Sequence, residues 1–509
     1  MIDTKVLREK ILDLAIRGKL VPQDPNDEPA SVLLKKIREQ KKQMVKEDKL
    51  KAKDIKNDTV IFKGDDNLHY EQFADGTVKC IEDEIPFEVP DGWCWCRLGS
   101  ISAAIQYGLS NSAEQSGTHR LLRITDIQDG KVDWDTVPFT TAYEAGNYLL
   151  SSGDIVFART GATVGKSFLI KELPYPAVYA SYLIRIRLLD GVHPDYIYQF
   201  FSSQCYWEQI TDKSVGVGQP NCNGTSLKEL FIPIPPFSEQ NRIVPSALST
   251  LEYVTNIELD KASLLETVTS IKFKILDLAI QGKLVPQNQD DEPASVLLER
   301  IRAEKEELIK AGKIKRDKKE SVILKGDDNS YYDDIPDNWA ECSILSIAEV
   351  ELGKTLDKAK NTGTYYPYLR SVNIKWDDVD LTDVKEMKFE ENELTRYSVK
   401  KNDLLICEGG DVGRCCIWNS EQNIYYQNAL HRVRFYGNCH PKYFLYIMMY
   451  LESTGYLKRI SNGVTIKHLT KNVLASIPFL LPPLAEQQRI VEAIKDIFSK
   501  LDAITDNIS

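Results

Sequence analysis

Apolar side chains recur near the start of the chain at Val6, Leu7, Ile11, Leu14 and Ala15. That spacing of threes and fours predicts a helix over residues 3–20, with Gly18 as its stop. A proline-containing turn follows, and Ser31 opens a second helix with Val32, Leu33, Leu34 and Ile37 on one side and charged residues on the other to about Lys53. The pair predicts a helical hairpin, and the pattern returns over about 271–312. From Glu239 to Lys274, Ile243, Val244, Leu248, Leu251, Val254, Ile257, Leu264, Leu265, Val268 and Ile271 mark a long coiled-coil-like helix. At roughly 1.5 Å per residue it would span about 50 Å, a candidate ruler between modules.

The period changes over residues 86–235 and 335–482. Each stretch opens on a proline-tryptophan turn, Pro90 to Trp93 and Pro336 to Trp339, and continues in short β-branched runs such as Asp154–Phe157 and Asp403–Ile406. Tyr196–Gln209 and Tyr443–Arg459 then look helical, so each stretch is expected to be an α+β module.

These elements occur twice because the letters do. Lys10–Gln23, KILDLAIRGKLVPQ, returns with one substitution as Lys274–Gln287, and DEPASVLL at 27–34 returns at 291–298, both displaced by 264. PPFSEQNRIV at 235–244 returns as PPLAEQQRIV at 482–491, displaced by 247 like His193-Pro194 and His440-Pro441, and like Leu122-Arg123 and Leu369-Arg370. Glu239 to Lys274 is 36 residues; Glu486 to the last residue is 24, which Met1–Lys10 extends to 34. The near match suggests one helical unit continuous in the middle and split between the termini.

The expected architecture is α+β: two α+β modules joined by long antiparallel coiled-coil-like helices in a pseudo-twofold cyclic repeat. Its parts are a helical region 1–60, a module 86–235, a central helical region 236–320, a second module 335–482 and a terminal helix 483–509.

Composition narrows the function. A chain of 509 residues, 42% hydrophobic and 27% charged, is ordinary for a soluble protein of two to four domains, and the cytoplasm is its expected place. A net charge of −11 argues against a chain that coats nucleic acid unaided. The lysines of 35–56 are taken as a solvated helix face. Ten cysteines and six histidines show no metal-ligand spacing, so no metal is expected.

Two motifs imitate catalysis. Gly161 to Ser167, GATVGKS, is one residue short of a phosphate-binding loop, and its counterpart Gly409 to Cys415 lacks both the lysine and the hydroxyl. Ile234-Pro235-Pro236-Phe237 resembles an amino-methyltransferase loop, but isoleucine offers no acceptor, nor does Leu481 in the second copy. The chain is therefore taken as non-catalytic, with the glycine turn presenting a basic side chain. Candidate DNA contacts are Arg123, Gln128, Lys131, Arg159, Gly161 and Lys166 in the first module, and Arg370, Asn373, Lys375, Glu408 and Arg414 in the second, residue types that reach base edges and phosphates. Arg159 aligns with Glu408, a change that would alter the base accepted.

The paired ILDLAI-GKLVPQ and PP-EQ-RIV blocks, with LLRITDIQDGKVDW and ARTGATVGKS, resemble the specificity subunit of type I restriction-modification systems across nearly the whole chain. The second module departs from the last of these with CEGGDVGRCC. The resemblance implies two target recognition domains, each reading half of a bipartite, asymmetric double-stranded DNA site. It also implies helices that dock two adenine-N6 methyltransferase subunits, with motor-nuclease restriction subunits joining them. S-adenosylmethionine, ATP and magnesium would then be used by those partners and no cofactor bound by this chain. On this reading Ile11, Leu14, Ile243, Leu251, Ile275, Leu278, Ile490 and Ile494 are candidates for the docking face. The alternatives are a fused methyltransferase or nuclease and a helical adaptor that binds only protein.

Overall fold

In the computed structural model the chain divides into two units, Ile2–Asp260 and Lys261–Ser509 with Met1. The residues described are 3–508 apart from 129, 143–144, 214–220, 315–334, 358–360 and 462–467. The expected end of the central helical region at 320 lies outside them.

The first unit begins with a helix, Thr4–Ile16, whose first turn is capped by the Asp3 carboxylate accepting from the Lys5 and Val6 amides. A second helix, Ala30–Lys46, follows. It stops earlier than the predicted Lys53 because Asp48 takes a left-handed backbone, φ 55°. The charged face is not wholly solvated: Lys41 is buried, bonded to Asp58 at 2.5 Å and to the Gly99 carbonyl at 2.9 Å. The second unit repeats this as Ala294–Lys310, where Lys305 donates to the Leu345 carbonyl at 2.8 Å. A three-stranded sheet, Val60–Lys63, His69–Gln72 and Val78–Cys80, lies between the predicted first regions and was not anticipated. Glu71 ties it to Arg97 of the first module at 2.6 Å.

Each module is α+β. In the first, an antiparallel sheet runs in the order Ser167–Leu169, Ile155–Ala158, Leu183–Leu188, Ser102–Tyr107. The second holds the same sheet as Cys415–Ile417, Leu404–Cys407, Leu430–Phe435, Ala348–Leu352. A second sheet in each contains one parallel pair, Ala177–Tyr179 beside His119–Leu122 and Ile424–Tyr426 beside Thr364–Leu369. The predicted module helices appear as Pro194–Phe200 with Gln204–Lys213, and as Pro441–Ser453 with Tyr456–Ile460.

The PP-EQ-RIV blocks start two helices, Phe237–Ile280 and Leu484–Ile508. In the first unit Gln23 reaches Glu239 at one end and Arg8 reaches Glu258 at the other, so the first helix runs antiparallel to this one. In the second unit Gln287 reaches Glu486 and Lys272 reaches Asp502, the same arrangement built from the other end of the long helix.

The duplicated motif residues meet in duplicated contacts. Trp93 Nε1 and Trp339 Nε1 each donate at 2.9 Å to Glu239 and Glu486. Arg242 pairs with Asp27 and Arg489 with Asp291, both at 2.6 Å. Gln240 and Gln487 accept the amides of His193 and His440 at 2.8 and 2.9 Å. Helix, hairpin and module are thus bolted together in each unit by letters from three blocks distant in sequence.

Candidate nucleic-acid interface

In the first module the strand Ile155–Ala158 runs into the glycine turn, a 3-10 turn over Gly161–Thr163. Gly161 has φ 73° and open space around it. Gly165 is required for a different reason: at φ 89°, a Cβ there would lie 2.5 Å from the Trp207 ring. Gly413 stands in the same relation to Leu457 in the second module. The resemblance to a phosphate-binding loop is therefore a packing demand shared by both modules.

Beside this turn an open groove of about 570 Å³ is lined by Gln128, Thr163, Lys166, Ser167 and Trp207. Gln128 and Lys131 face each other as an antiparallel strand pair, both exposed. The groove thus joins two of the anticipated residues, the Gln128 amide and the Lys166 ammonium, with one that was not anticipated, the exposed ring of Trp207. An ammonium and an amide at the mouth of a groove suit contacts to a nucleic-acid backbone.

Arg159, at the end of the same strand, lies with its guanidinium 4.7 Å above the centre of the Tyr107 ring. It makes no side-chain hydrogen bond or ion pair among the described residues, and its Nε is buried without a partner. Tyr107 is itself fixed, its hydroxyl accepting from the Gly224 amide at 2.8 Å. Glu408 in the second module is bonded by one oxygen to His468 Nδ1 at 3.0 Å. Lys375 is exposed on the hairpin Ile374–Lys375 with Asp378–Val379.

Other anticipated contacts are reassigned. Asn373 is 2% exposed and fully occupied, accepting from the Arg370 amide and donating to the Asp380 and Asp383 carbonyls. It closes a turn, as Asp126 does for Arg123. The guanidinium of Arg123 is forked onto Asp126, that of Arg370 is held by Asp383, and that of Arg414 by Asp411 and the Ser371 carbonyl. These three shape the loops, whereas Lys131, Lys166 and Lys375 are exposed and Arg159 is held, among the described residues, only by the Tyr107 ring. Among the proposed docking residues, Ile11, Ile243, Ile490 and Ile494 are buried inside this chain's own units and present nothing to a partner. Leu14, Leu251, Ile275 and Leu278 are partly exposed.

Burial pushes the thiols of Cys94, Cys205, Cys222 and Cys407 up to about 11, which makes them poor nucleophiles. His69, Glu82 and Glu88 bring ligand atoms within 4.8 Å of one another, but Glu82 is bonded to His69 and Glu88 to Lys63. Among the described residues no helix is long and apolar enough to cross a membrane.

Comparison with known proteins gives a consistent result. The profile of the type I restriction modification DNA specificity domain matches residues 108–269 and 336–509. The type I restriction enzyme EcoAI specificity subunit of Escherichia coli is 27% identical, over 97% of this chain and 88% of its own length. The EcoEI specificity subunit of the same species is 26% identical, over 98% and 90%. Among solved structures, the HsdS subunit from Thermoanaerobacter tengcongensis matches 84% of this chain and 94% of its own with a TM-score of 0.51 at 17% identity. A chain from a study of complex assembly and conformational transition of the type I R-M system matches 83% and 94% with a TM-score of 0.53 at 18% identity. These two likenesses concern the fold.

Proposed function

The chain belongs to the type I restriction-modification DNA specificity family, and from that premise we propose that its modules each read one half of a bipartite, asymmetric DNA site. The observation that carries this is the pairing of a shared backbone frame with opposed side chains, Arg159 in one module and Glu408 in the other. A frame held constant for folding with divergent outward residues is what reading two different sequences requires.

In this reading the chain is a non-catalytic scaffold. Two adenine-N6 methyltransferase subunits dock on its helices and bring S-adenosylmethionine, and motor-nuclease subunits use ATP and magnesium. Cationic surface from those partners offsets the net charge of −11. The long helix Phe237–Ile280 is proposed as the element that sets the gap between half-sites. Its apolar residues Tyr253, Leu264 and Ile271 are 68%, 39% and 40% exposed. Separated by 11 and 7 residues, they fall on one stripe, a surface suited to a protein partner.

The test is to map methylated adenines in cells with and without the chain, and with residues 86–235 exchanged for another first module. Methylation should depend on the chain, and the exchange should alter one half-site alone. Methylation that ignores the chain would overturn the reading, and an unchanged target after the exchange would favour the adaptor.

A further inference from the structure

Arg159 and Glu408 occupy one position in two copies of the same frame. The Cys222 amide donates to the Arg159 carbonyl at 3.0 Å, and the Leu469 amide to the Glu408 carbonyl at 2.7 Å. In turn the Arg159 amide donates to the Tyr182 carbonyl at 3.2 Å, and the Glu408 amide to the Ala429 carbonyl at 2.9 Å. The next residues form matching isolated bridges, Thr160 with Asn221 and Gly409 with His468. The side chains therefore leave the backbone from equivalent points.

Their surroundings have changed in step with them. Under Arg159 lies Tyr107, which holds the cation by its ring; the second strand ends at this place in Leu352, which has no ring to offer. Beside Glu408 lies His468, which holds the carboxylate by one oxygen; the matching Asn221 carries no such ring nitrogen. Each charged group is thus oriented by a neighbour suited to its sign. Among the described residues the Arg159 guanidinium makes no hydrogen bond, although its Nε is buried, and Glu408 keeps Oε1 without a hydrogen-bond partner. A charged group held in one geometry by a neighbour, with terminal atoms that no hydrogen bond within the chain occupies, is arranged for recognition and not for folding.

We propose that these two side chains are the counterpart base readers of the modules: Arg159 takes the O6 and N7 acceptors of a guanine, and Glu408 accepts from the N4 amine of a cytosine in the other half-site. The pairing follows from hydrogen-bond chemistry in the major groove, where guanine offers two acceptors to a fork and cytosine a donor. Tyr107 and His468 act as positioning residues. The assignment rests on the two-module DNA reading above and names the base each module takes.

The experiment uses the full chain assembled with its methyltransferase subunits, and a duplex panel in which each base pair of the mapped target is replaced in turn. Arg159→Ala and Arg159→Lys should both relax discrimination at one guanine of one half-site by roughly ten- to a hundred-fold. Glu408→Gln should do so at one cytosine of the other half. The lysine variant keeps the charge and loses the fork, so it separates reading from attraction. Unchanged discrimination at every position overturns the proposal, as does a uniform loss over all duplexes in both arginine variants, which marks a phosphate contact. A wild-type complex with no sequence preference would instead fail the underlying functional reading.

Discussion

Gln23 donates to the buried carboxylate of Glu239 at 2.6 Å across 216 positions of sequence, and Gln287 to Glu486 at 2.5 Å in the second unit. Burial holds both carboxyls above the usual carboxylate range, against the lowering pull of their tryptophan and glutamine donors. The repeated blocks are similar because they must close this contact twice.

Glu239→Ala would leave the Trp93 indole N–H and the Gln23 amide without an acceptor. A loss of about 2–4 kcal/mol is expected, since donors to a buried charge become unsatisfied together. Thermal unfolding of the full chain should show it. In a double-mutant cycle with Gln23→Ala the two effects should be markedly less than additive. Additive losses would mean the side chains act separately.

Much of this bolt was legible as repetition but not as contact. ILDLAI and EQ-RIV are recognisable as helical blocks because apolar spacing is local; that Glu239 lies under Trp93 depends on a fold that brings three segments together. The same gap explains the docking residues. Ile243 and Ile490 stand on apolar helix faces, and periodicity marks which face is apolar without telling whether this chain or a partner covers it. Asn373 has the chemistry of an adenine reader, and only its three filled hydrogen bonds show that the backbone uses it. Trp207 could have been suspected as an exposed aromatic beside the glycine turn, but the helix pattern around it, Tyr206 included, concealed which ring faces out.

Gly165 and Gly161 should respond differently to alanine. Both have positive φ, so each substitution costs about 1 kcal/mol of backbone strain. Gly161 has no atom within 4 Å of the added methyl, whereas Gly165 drives it into Trp207 at 2.5 Å. Gly165→Ala is therefore expected to lose about 1–3 kcal/mol more than Gly161→Ala, from overpacking. Denaturant midpoints at constant slope would check the ranking, and equal losses would count against the packing role.

The second unit should be more sensitive to acid than the first. His431 is fully buried, donates through Nε2 to the Leu469 carbonyl at 2.7 Å, and has its pKa lowered by burial; Ile184 holds its place in the first module. Below about pH 6.5 the unfolded chain takes a proton there that the folded chain refuses, so stability falls as the pH drops through that value and is intact above it. His431→Ile should flatten this part of the pH profile of unfolding. A slope that is unchanged between pH 5 and 7 would assign the effect elsewhere, His440 being the other histidine whose pKa burial lowers.

Tyr253, Leu264 and Ile271 separate a folding role from a docking role more cleanly than the buried isoleucines can. Because they are 68%, 39% and 40% exposed along one stripe of Phe237–Ile280, replacing each with serine removes less buried surface than at a core position such as Ile243. Tyr253→Ser is expected to change stability by no more than about 0.5 kcal/mol, and Leu264→Ser and Ile271→Ser to cost about 1 kcal/mol each. A methyltransferase subunit seated on the stripe would lose three apolar anchors, and central anchors of an interface commonly carry about 2 kcal/mol or more each. The triple variant should then remain folded with a modest loss of stability while its affinity for the methyltransferase subunit, measured by calorimetry or co-purification, falls by at least a hundred-fold. Ile243→Ser should give the opposite result, an unfolding defect, because its side chain has no exposure. If the triple variant binds its partner as tightly as the parent, the stripe is not the docking surface, and partners must use another face of the chain.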